Sequence, residues 1–489
     1  MEWFACLLCI VALLILLFIW HSTKSYGRLE SLGIPVIKPF LCFGSPPLDW
    51  HNVRWYDWYR MQHEKLGHTF GHYIGTFPVI STINPDFIKA VYVKNFEEFG
   101  DMVDNANLKD IMKTIDLAQG EDWKNLRKIL SPTFTSGKLK KMIDPMSEVS
   151  AKAIENLKKL VKTGKPIEVK HFFQAYALDT ICRCAFSIDT NALEDDDHKL
   201  IKAGREIFQG FAMTNWMETI GNLIFYFFPG LETTFPTIMY PESFYKLHDL
   251  TNDLIKERKA SNEKFDDFID KIIEVCNDAN APVSPDMIKA QGSIFFAAGF
   301  ETTSNCLSTL CYTLAKNPDI QDKLYEEILS VLASNEEIDT ESINNLPYLD
   351  AAIHENLRIH PPIPIQERIC KKDVEVEGLK VKKGTYIRMP IYAAHMNPDF
   401  FPDPEAFNPD RFLKENASSM KPYTFRGFSG GPRICLGQRF AMVEMKICMA
   451  RLLKSFKIKA CPMTQLEYKA GDPFIMGFDS IYLTFEERS

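Results

Sequence analysis

Cys435 occupies a position in this sequence where a thiol would be activated. It follows the glycine-rich segment FSGGPRI and precedes residues with the apolar spacing of an amphipathic helix. Backbone N–H groups at the start of a helix stabilise negative charge and lower the pKa of a thiol. A thiolate here fits a nucleophile, a redox thiol or a metal ligand, and a structural cysteine also fits. Gly430 and Gly431 belong to no phosphate loop, because the sequence contains neither GxxxxGK[ST] nor GxGxxG.

A second group of reactive side chains falls in the middle of a long predicted helix. The residues SPD at 284–286 supply a cap, a first-turn proline and an acidic residue, and no proline follows until Pro318. This spacing predicts a helix of about 30 residues, long enough to cross a domain. Glu301 and Thr302 lie at its centre. A lone mid-helix Thr would simply bond the preceding turn, but Gly299 beside them costs about 1 kcal/mol relative to Ala and needs a reason.

Two further pairs share a helix face because of their spacing. Glu355 and Arg358 are three residues apart, and Trp123 and Arg127 are four apart. Taken alone, the first pair is an ordinary exposed contact of about 0.2 to 0.5 kcal/mol. The second pair, taken alone, is a core Trp beside a solvated Arg. Neither pair identifies a function without its context.

The motif around Cys435 supplies that context, because it resembles the haem-binding signature FxxGxRxCxG of the cytochrome P-450 family, the haem-thiolate monooxygenases. The five matching residues are Phe428, Gly431, Arg433, Cys435 and Gly437. The resemblance implies that Cys435 is the axial thiolate on the iron of haem b and that Arg433 pairs with a haem propionate. It also implies that the glycines let the backbone approach the porphyrin.

Other segments resemble the family in the same order along residues 123–437. The residues AGFETT at 298–303 match the oxygen-activation motif [AG]Gx[DE]T[TS], which implies that Glu301 and Thr302 relay protons. FNPDRF at 407–412 resembles the PERF segment, so a network of Glu355, Arg358 and Arg411 is implied. Further propionate contacts are implied for three residues, namely Trp123, Arg127 and Arg368.

Two positions depart from the family pattern. Gly427 stands where the family commonly has Pro, which leaves the ligand spacing intact but loosens the entry to the loop. Asp410 replaces the Glu of the PERF segment and lies outside the implied network. Neither departure removes a residue to which the resemblance gives a role.

The resemblance also implies a substrate pocket beside the haem. Its implied lining residues are Phe211, Ala298, Phe300, Ile363 and Pro364. The apolar segment 208–228 is a core region by default, but in anchored members of the family it caps this pocket and dips into the bilayer. A pocket without a fixed charge predicts a neutral, lipophilic substrate.

The amino-terminal residues predict a membrane anchor. Residues 3–20 carry no charge and have a Trp at each end, which fits a bilayer-spanning helix with interfacial aromatics. A cleaved signal peptide is the rival, but the apolar run is long and lacks a basic n-region and an A-x-A site. Lys24 and Arg28 follow the span, so the positive-inside rule places the body in the cytosol. We expect a transmembrane signal-anchor at 1–21, a proline-containing hinge at 22–48 and a catalytic domain at 49–489, on the endoplasmic reticulum membrane.

Composition limits the partners of this chain. Its 489 residues have a formal net charge of -8, which argues against nucleic-acid binding as the main function. The 12 cysteines form no Cys/His grouping at zinc spacing, and most are expected to be small core residues. No nucleotide-binding fingerprint is present, so electrons must come from another protein, and the resemblance names NADPH-cytochrome reductase, with cytochrome b5 as a further partner. Seven basic residues are expected to present a docking face: Lys124, Lys128, Lys138, Lys140, Lys141, Arg439 and Lys446.

The fold expected from these observations is mainly α with small β-sheets, a cytochrome P-450 fold after one transmembrane helix. The expected function is a haem-thiolate monooxygenase that oxidises a steroid, a fatty acid or a xenobiotic with O2. Two alternatives stay open. One is an isomerase or peroxide-rearranging enzyme of the same fold, and the other is a non-catalytic haem sensor.

Overall fold

The computed structural model describes residues 2–45, 52–102, 109–195, 198–210, 242–261, 263–332, 338–472 and 474–488. Within these ranges it is mainly helical. The α-helices are Glu2–Thr23, Trp55–Leu66, Pro85–Lys89, Phe96–Phe99, Gly120–Leu130, Ser136–Val161, Val169–Phe186, Lys199–Gly210, Glu242–Ser261, Phe268–Asn277, Pro285–Lys316, Pro318–Leu332, Thr340–Asn344, Pro347–Ile359, Ile391–His395, Lys414–Ala417 and Gln438–Ser455. The predicted fold class is therefore confirmed.

The nine strands of the described residues form three small sheets. They are β1 Thr69–Ile74, β2 Phe77–Thr82, β3 Ile167–Glu168, β4 Ile365–Ile369, β5 Val374–Val376, β6 Leu379–Val381, β7 Tyr386–Pro390, β8 Phe456–Ala460 and β9 Tyr482–Glu487. The largest sheet has the order β1-β2-β7-β4, with β2 and β7 parallel and the other neighbours antiparallel. β9 pairs with β3 and β8, and β5 pairs with β6. The small β-sheets that the sequence predicted are therefore present.

The helix Pro285–Lys316, called the long helix below, runs through the main hydrophobic core. The Ser284 side chain accepts a hydrogen bond from the Met287 N–H, and Pro285 occupies the first turn, as the sequence predicted. The helix ends at Lys316, before Asn317 and Pro318, because a residue before proline is disfavoured in helical geometry. Its 32 residues span about 48 Å at 1.5 Å per residue. Buried residues occur along nearly its whole length, so it can carry side chains into the centre of the domain.

The amino-terminal helix Glu2–Thr23 lies outside this core. Its described large apolar side chains from Trp3 to Trp20 are mostly exposed, although it holds the most apolar stretch of the chain. It is the one helix of the described residues that is long and apolar enough to cross a bilayer. Its length of about 33 Å matches a hydrocarbon core of about 30 Å.

The segment after this helix packs against the body as far as it is described. The Leu29 side chain is buried, and its N–H donates to the Tyr73 hydroxyl at 3.2 Å. The Ile37 N–H donates to the Gly71 carbonyl at 2.9 Å, and the Gly71 N–H donates to the Pro35 carbonyl at 2.8 Å. These bonds extend the sheet at β1. The expected hinge is therefore docked on the domain as far as Ser45, the last described residue before the gap at 46–51.

Candidate active site

A glycine-rich loop places Cys435 just before the last helix, Gln438–Ser455. The loop contains a single turn of 3-10 helix at Gly431–Arg433, and the Cys435 N–H donates to the Phe428 carbonyl at 3.0 Å. Gly431 has φ +66°, and a Cβ there would lie 2.6 Å from the Tyr92 carbonyl oxygen. This position requires glycine both for its backbone conformation and for the close approach of Tyr92. The loop is thus locked between Tyr92 and the last helix.

The electrostatic environment of Cys435 differs in part from the prediction. The N–H groups of Gly437 and Gln438 and the charge of Arg127 lower the pKa of the Cys435 thiol, as expected near a helix start. Burial raises the pKa more strongly, so its pKa lies above the ordinary value. The predicted effect of the helix start is therefore present, but burial outweighs it. A cation at the sulfur would favour the thiolate.

The Cys435 side chain is nevertheless exposed rather than packed against neighbours. An accessible surface on a desolvated group means that the surface faces an enclosed space instead of bulk water. Ala298 is likewise exposed, although it lies in the middle of the long helix between buried residues 297 and 300. Thr302, one turn later, is half-buried, and Ile363 is 45% exposed. Ala298 and Thr302 of the long helix and Cys435 of the loop therefore each keep accessible surface within the domain.

Buried guanidinium groups surround the same loop. Arg433 donates from Nη2 to the Ala118 carbonyl at 2.7 Å and to the Asp101 carboxylate at 3.1 Å, and its Cζ lies 4.6 Å from the centre of the Trp123 ring. Arg127 donates to the Ile434 carbonyl at 2.9 Å. Arg368 is buried above the Tyr92 ring. The residues Trp123, Arg127 and Arg433 are thus brought together around the loop, as their motifs predicted.

Among the described residues, Arg127 and Arg368 form no ion pair, and Arg433 pairs with Asp101 alone. Burial lowers the pKa of Arg368, and burial with the charge of Arg368 lowers the pKa of Arg433 to about 10. Arg433 Nε is buried and has no hydrogen-bond partner among the described residues. Unpaired buried polar atoms are costly, so the cluster is suited to receive the carboxylates of a bound molecule. The arrangement fits a cofactor that carries acidic side chains.

Two charged residues near this cluster were missed in the sequence. Arg426 is fully buried, and its Nε and Nη1 have no partner among the described residues. Asp101 is also buried and pairs with both Arg433 and Lys371. Arg426 lies two residues before the motif, so the sequence could have drawn attention to it. Asp101 lies far from the motif in sequence and gives no such signal. Only the fold identifies it as the counter-charge of Arg433.

Glu301 and Thr302 point in different directions from the long helix. The Thr302 hydroxyl donates to the Ala298 carbonyl at 2.6 Å, the ordinary bond of a mid-helix Thr. The Glu301 carboxylate is buried and pairs with Lys170 Nζ at 3.1 Å. It also accepts a hydrogen bond from Gln174 Nε2 at 3.1 Å. In this conformation the acid is held by the helix Val169–Phe186, whereas Thr302 is only half-buried.

The residues Glu355, Arg358 and Arg411 form one buried network, as the family resemblance implied. Arg358 donates from Nε and Nη2 to both oxygens of Glu355, at 2.7 and 2.8 Å. Arg411 Nε lies 3.3 Å from Glu355 Oε1, and the Asn408 N–H donates to the same oxygen at 2.9 Å. Arg358 also donates to the His395 carbonyl at 2.9 Å. The network ties the helix Pro347–Ile359 to two distant loops.

The predicted pocket residues divide into three groups. Ala298 and Ile363 are exposed, so both have accessible surface with which to line a pocket. Phe300 is fully buried and stacks near Phe296 at 6.0 Å between ring centres, so its prediction as a lining residue is wrong. Pro364 is also buried, which contradicts a lining position for its ring. Phe211 lies outside the described residues.

The site combines a cysteine on a locked glycine loop, accessible side chains on the long helix, and arginines that have no ion-pair partner among the described residues. This combination defines a protein of the haem-thiolate class. The chain belongs to the cytochrome P450 family, whose model matches residues 35–485. The chain is accordingly a monooxygenase that uses haem iron. The exposed apolar helix at its amino terminus is consistent with attachment to a membrane.

Several curated proteins resemble it over nearly their whole length. Cytochrome P450 3A29 of Sus scrofa is 34% identical over 466 residues, which cover 93% of this chain and 91% of the relative. Cytochrome P450 3A9 of Rattus norvegicus is 32% identical over 469 residues, covering 94% and 92%. Lithocholate 6-beta-hydroxylase of Mesocricetus auratus is 33% identical over 480 residues, covering 95% and 92%.

Proposed function

We propose that this protein oxidises lipophilic small molecules, of the steroid, fatty acid or xenobiotic classes, by inserting one atom of O2 with electrons from NADPH-cytochrome reductase. The observation that carries the proposal is the accessible surface of Cys435 on its glycine loop, together with that of Ala298 and Thr302 on one face of the long helix. These residues supply a potential metal ligand, a small residue and a hydroxyl. The relative named lithocholate 6-beta-hydroxylase supports a steroid-sized substrate.

Haem b is the proposed cofactor, and the described residues suit it. Cys435 would bind the iron, and Gly431 lets the loop that carries Cys435 lie against the backbone of Tyr92. Arg433, Arg368 and Arg127, with Trp123, would hold the propionates. When bound, haem supplies the redox-active iron at which dioxygen is reduced.

The side chains of the long helix would manage protons. Thr302 supplies a hydroxyl at a half-buried position, and its oxygen can still accept a hydrogen bond while it donates to the Ala298 carbonyl. Glu301 can exchange a proton with this region only by leaving Lys170 and Gln174. Breaking a buried ion pair is costly, so this departure limits when protons are delivered.

Apolar side chains would select the substrate. Ala298 is small and keeps accessible surface, and the exposed side chain of Ile363 offers apolar contact surface. A substrate packed against Ala298 and Ile363 would exclude water from the reacting atoms. It favours lipophilic molecules, which partition into membranes and reach an enzyme anchored there.

The proposed reductase site is a smaller basic face than the sequence suggested. Lys128 and Lys140 are exposed and form no ion pair among the described residues. Arg439 is exposed and lies 3.4 Å from the Ser136 hydroxyl. Lys446 is largely buried and pairs with Asp350 at 2.5 Å, so it does not belong to this face.

The other predicted lysines of this face already have acidic partners. Lys124 pairs with Glu121 at 2.9 Å, and Lys138 and Lys141 both pair with Asp266. The remaining free charges still complement an acidic flavoprotein or cytochrome b5, because complementary patches speed encounter. The docking proposal therefore rests mainly on Lys128, Lys140 and Arg439.

The proposed topology is a single-pass anchor in the endoplasmic reticulum membrane with a cytosolic catalytic domain. The amino-terminal helix would span the bilayer, and Lys24 and Arg28 would stay on the cytosolic side. The proposed domain limits remain 1–21 for the anchor, 22–48 for the connection and 49–489 for the catalytic domain.

The test is reconstitution of the full chain in lipid with reductase, NADPH and isotopically labelled dioxygen, with a steroid, a fatty acid and a neutral xenobiotic as substrates. We expect substrate-dependent NADPH oxidation and one labelled oxygen atom in the product. Reactions without reductase are the control. A product without the label would identify an isomerase or peroxide-rearranging enzyme, and absence of turnover with every substrate would favour a haem sensor.

A further inference from the structure

Asp116 belongs to a segment that is held between the long helix and the Cys435 loop. Its segment is held from one side by Gln291 of the long helix, whose Oε1 accepts from the Ile115 N–H at 2.8 Å. Gln291 Nε2 also donates to the Lys113 carbonyl at 2.9 Å. From the other side, Arg433 Nη1 donates to the Asp116 carbonyl at 3.3 Å. Since Arg433 is two residues before Cys435, these bonds fix Asp116 close to the proposed haem site.

The Asp116 side chain is exposed, although Thr114 and Ala118 on either side of it are buried. Desolvation raises the pKa of Asp116 even though hydrogen bonds from the Thr114 hydroxyl and from the backbone N–H groups of Asp116 and Leu117, with the Arg433 charge, lower it. A group that is both accessible and desolvated faces an enclosed space, as Cys435 does. Asp116 therefore opens into the interior of the protein rather than toward bulk water.

No cation of the described residues forms an ion pair with Asp116. Arg433, the nearest positive charge that acts on it, is already bound to the Asp101 carboxylate at 3.1 Å. The flanking side chains of Ile115 and Leu117 are apolar and half-buried. A negative charge on an apolar wall is costly unless a bound cation approaches it.

We propose that Asp116 binds the protonated amine of a lipophilic cationic substrate and orients that substrate in the pocket. The proposal rests on the monooxygenase function above and narrows its substrate class. It replaces the expectation of a pocket without a fixed charge. A charged hydrogen bond between ammonium and carboxylate fixes one end of the molecule, while the apolar remainder extends toward Ala298 and Ile363.

The test compares two probes that differ only in charge, a diphenylpropyl dimethylamine and its neutral analogue with isopropyl in place of dimethylamino. Equilibrium dialysis against the haem-loaded full chain in lipid measures Kd for each. We expect Asp116→Asn to raise Kd for the amine about 10- to 100-fold, the range for a hydrogen bond to a charged group. Kd for the neutral analogue should change by less than about twofold, which is less than one such bond.

Two further variants complete the test. Asp116→Glu keeps the charge and should retain the preference for the amine. Asp110→Asn removes a carboxylate from the same segment, but Asp110 pairs with Lys113 at 3.0 Å, so both Kd values should stay unchanged. Equal affinities of the two probes for the unaltered protein, or equal changes in Asp116→Asn, would overturn the proposal. The carbon monoxide spectrum of the same samples separates this result from failure of the haem-thiolate assignment.

Discussion

Replacing Glu355 with Gln should destabilise the domain more than any loss of a surface ion pair. The Glu355 carboxylate is fully buried and neutralises Arg358, also fully buried, through two hydrogen bonds of 2.7 and 2.8 Å. It also accepts the Asn408 N–H and lies 3.3 Å from Arg411. Gln keeps the shape but removes the charge, so both guanidinium groups lose their compensating anion.

The magnitude follows from the cost of an uncompensated buried charge. Breaking a buried pair by removing one partner costs about 3 to 5 kcal/mol. The unfolding entropy is about 2.1 cal/mol/K per residue. For the roughly 440 residues of the body, each degree of Tm shift therefore corresponds to about 0.9 kcal/mol of stability. We therefore expect Glu355→Gln to lower Tm by about 3 to 5 °C.

Thermal unfolding of the haem-loaded protein, followed by circular dichroism at one scan rate, measures this shift. The control is Asp410→Asn, which removes the exposed Lys323 pair at 3.0 Å in the same region. An exposed pair contributes at most about 1 kcal/mol, so the control should shift Tm by about 1 °C or less. If Glu355→Gln shifts Tm no further than Asp410→Asn, the buried network does not stabilise the fold as argued.

Three other predictions address protons, pH and partners. Thr302→Ala should release several-fold more peroxide per NADPH, measured in the reconstituted system, and unchanged coupling would remove the hydroxyl from proton delivery. Burial raises the pKa of Asp472 to about 6, so the folded state binds the proton more tightly than the unfolded chain and stability falls as pH rises from about 4 to about 6. Asp472→Asn should abolish that fall and raise the free energy of unfolding at neutral pH by up to about 3 kcal/mol. Denaturant titration at about pH 4 and at neutral pH measures both effects. An unchanged pH profile of stability would contradict the raised pKa of Asp472. Changing Lys128 and Lys140 together to Glu should raise KM for the reductase about tenfold at low salt, and added salt should reduce this effect. The control is Lys380→Glu, an exposed change on β6, which should leave KM unchanged. A salt-independent or absent effect would place the docking face elsewhere.

The sequence was sufficient where local signals decide the outcome. Ser284, Pro285 and Pro318 define the ends of the long helix because capping and proline geometry act within a few residues. The spacing of Glu355 and Arg358 placed both on one helix face, where the structure finds them paired. The prediction that Phe300 lines the pocket with Ala298 was wrong. The helical period argues against it, because two residues along a helix correspond to a turn of about 200°.

The remaining features depend on contacts between distant segments. Lys170 pairs with Glu301 from another helix, and no property of either local sequence predicts that contact. The pKa of Cys435 combines a readable helix-start effect with a desolvation that only the assembled domain creates. Asp116 is similar, because its segment gives no sign that it opens into the interior. The sequence therefore could not predict which polar side chains the folded domain buries.

The carbon monoxide difference spectrum of the reduced protein tests the central claim that Cys435 is the thiolate ligand of haem iron. We predict a Soret band well to the red of a His-ligated haem for the unaltered chain and for Cys461→Ser, which changes a half-buried cysteine of the segment after β8. Cys435→His should lose this band and give the His-type spectrum. If the red-shifted band persisted in Cys435→His, another residue would bind the iron and the account of the site would be wrong.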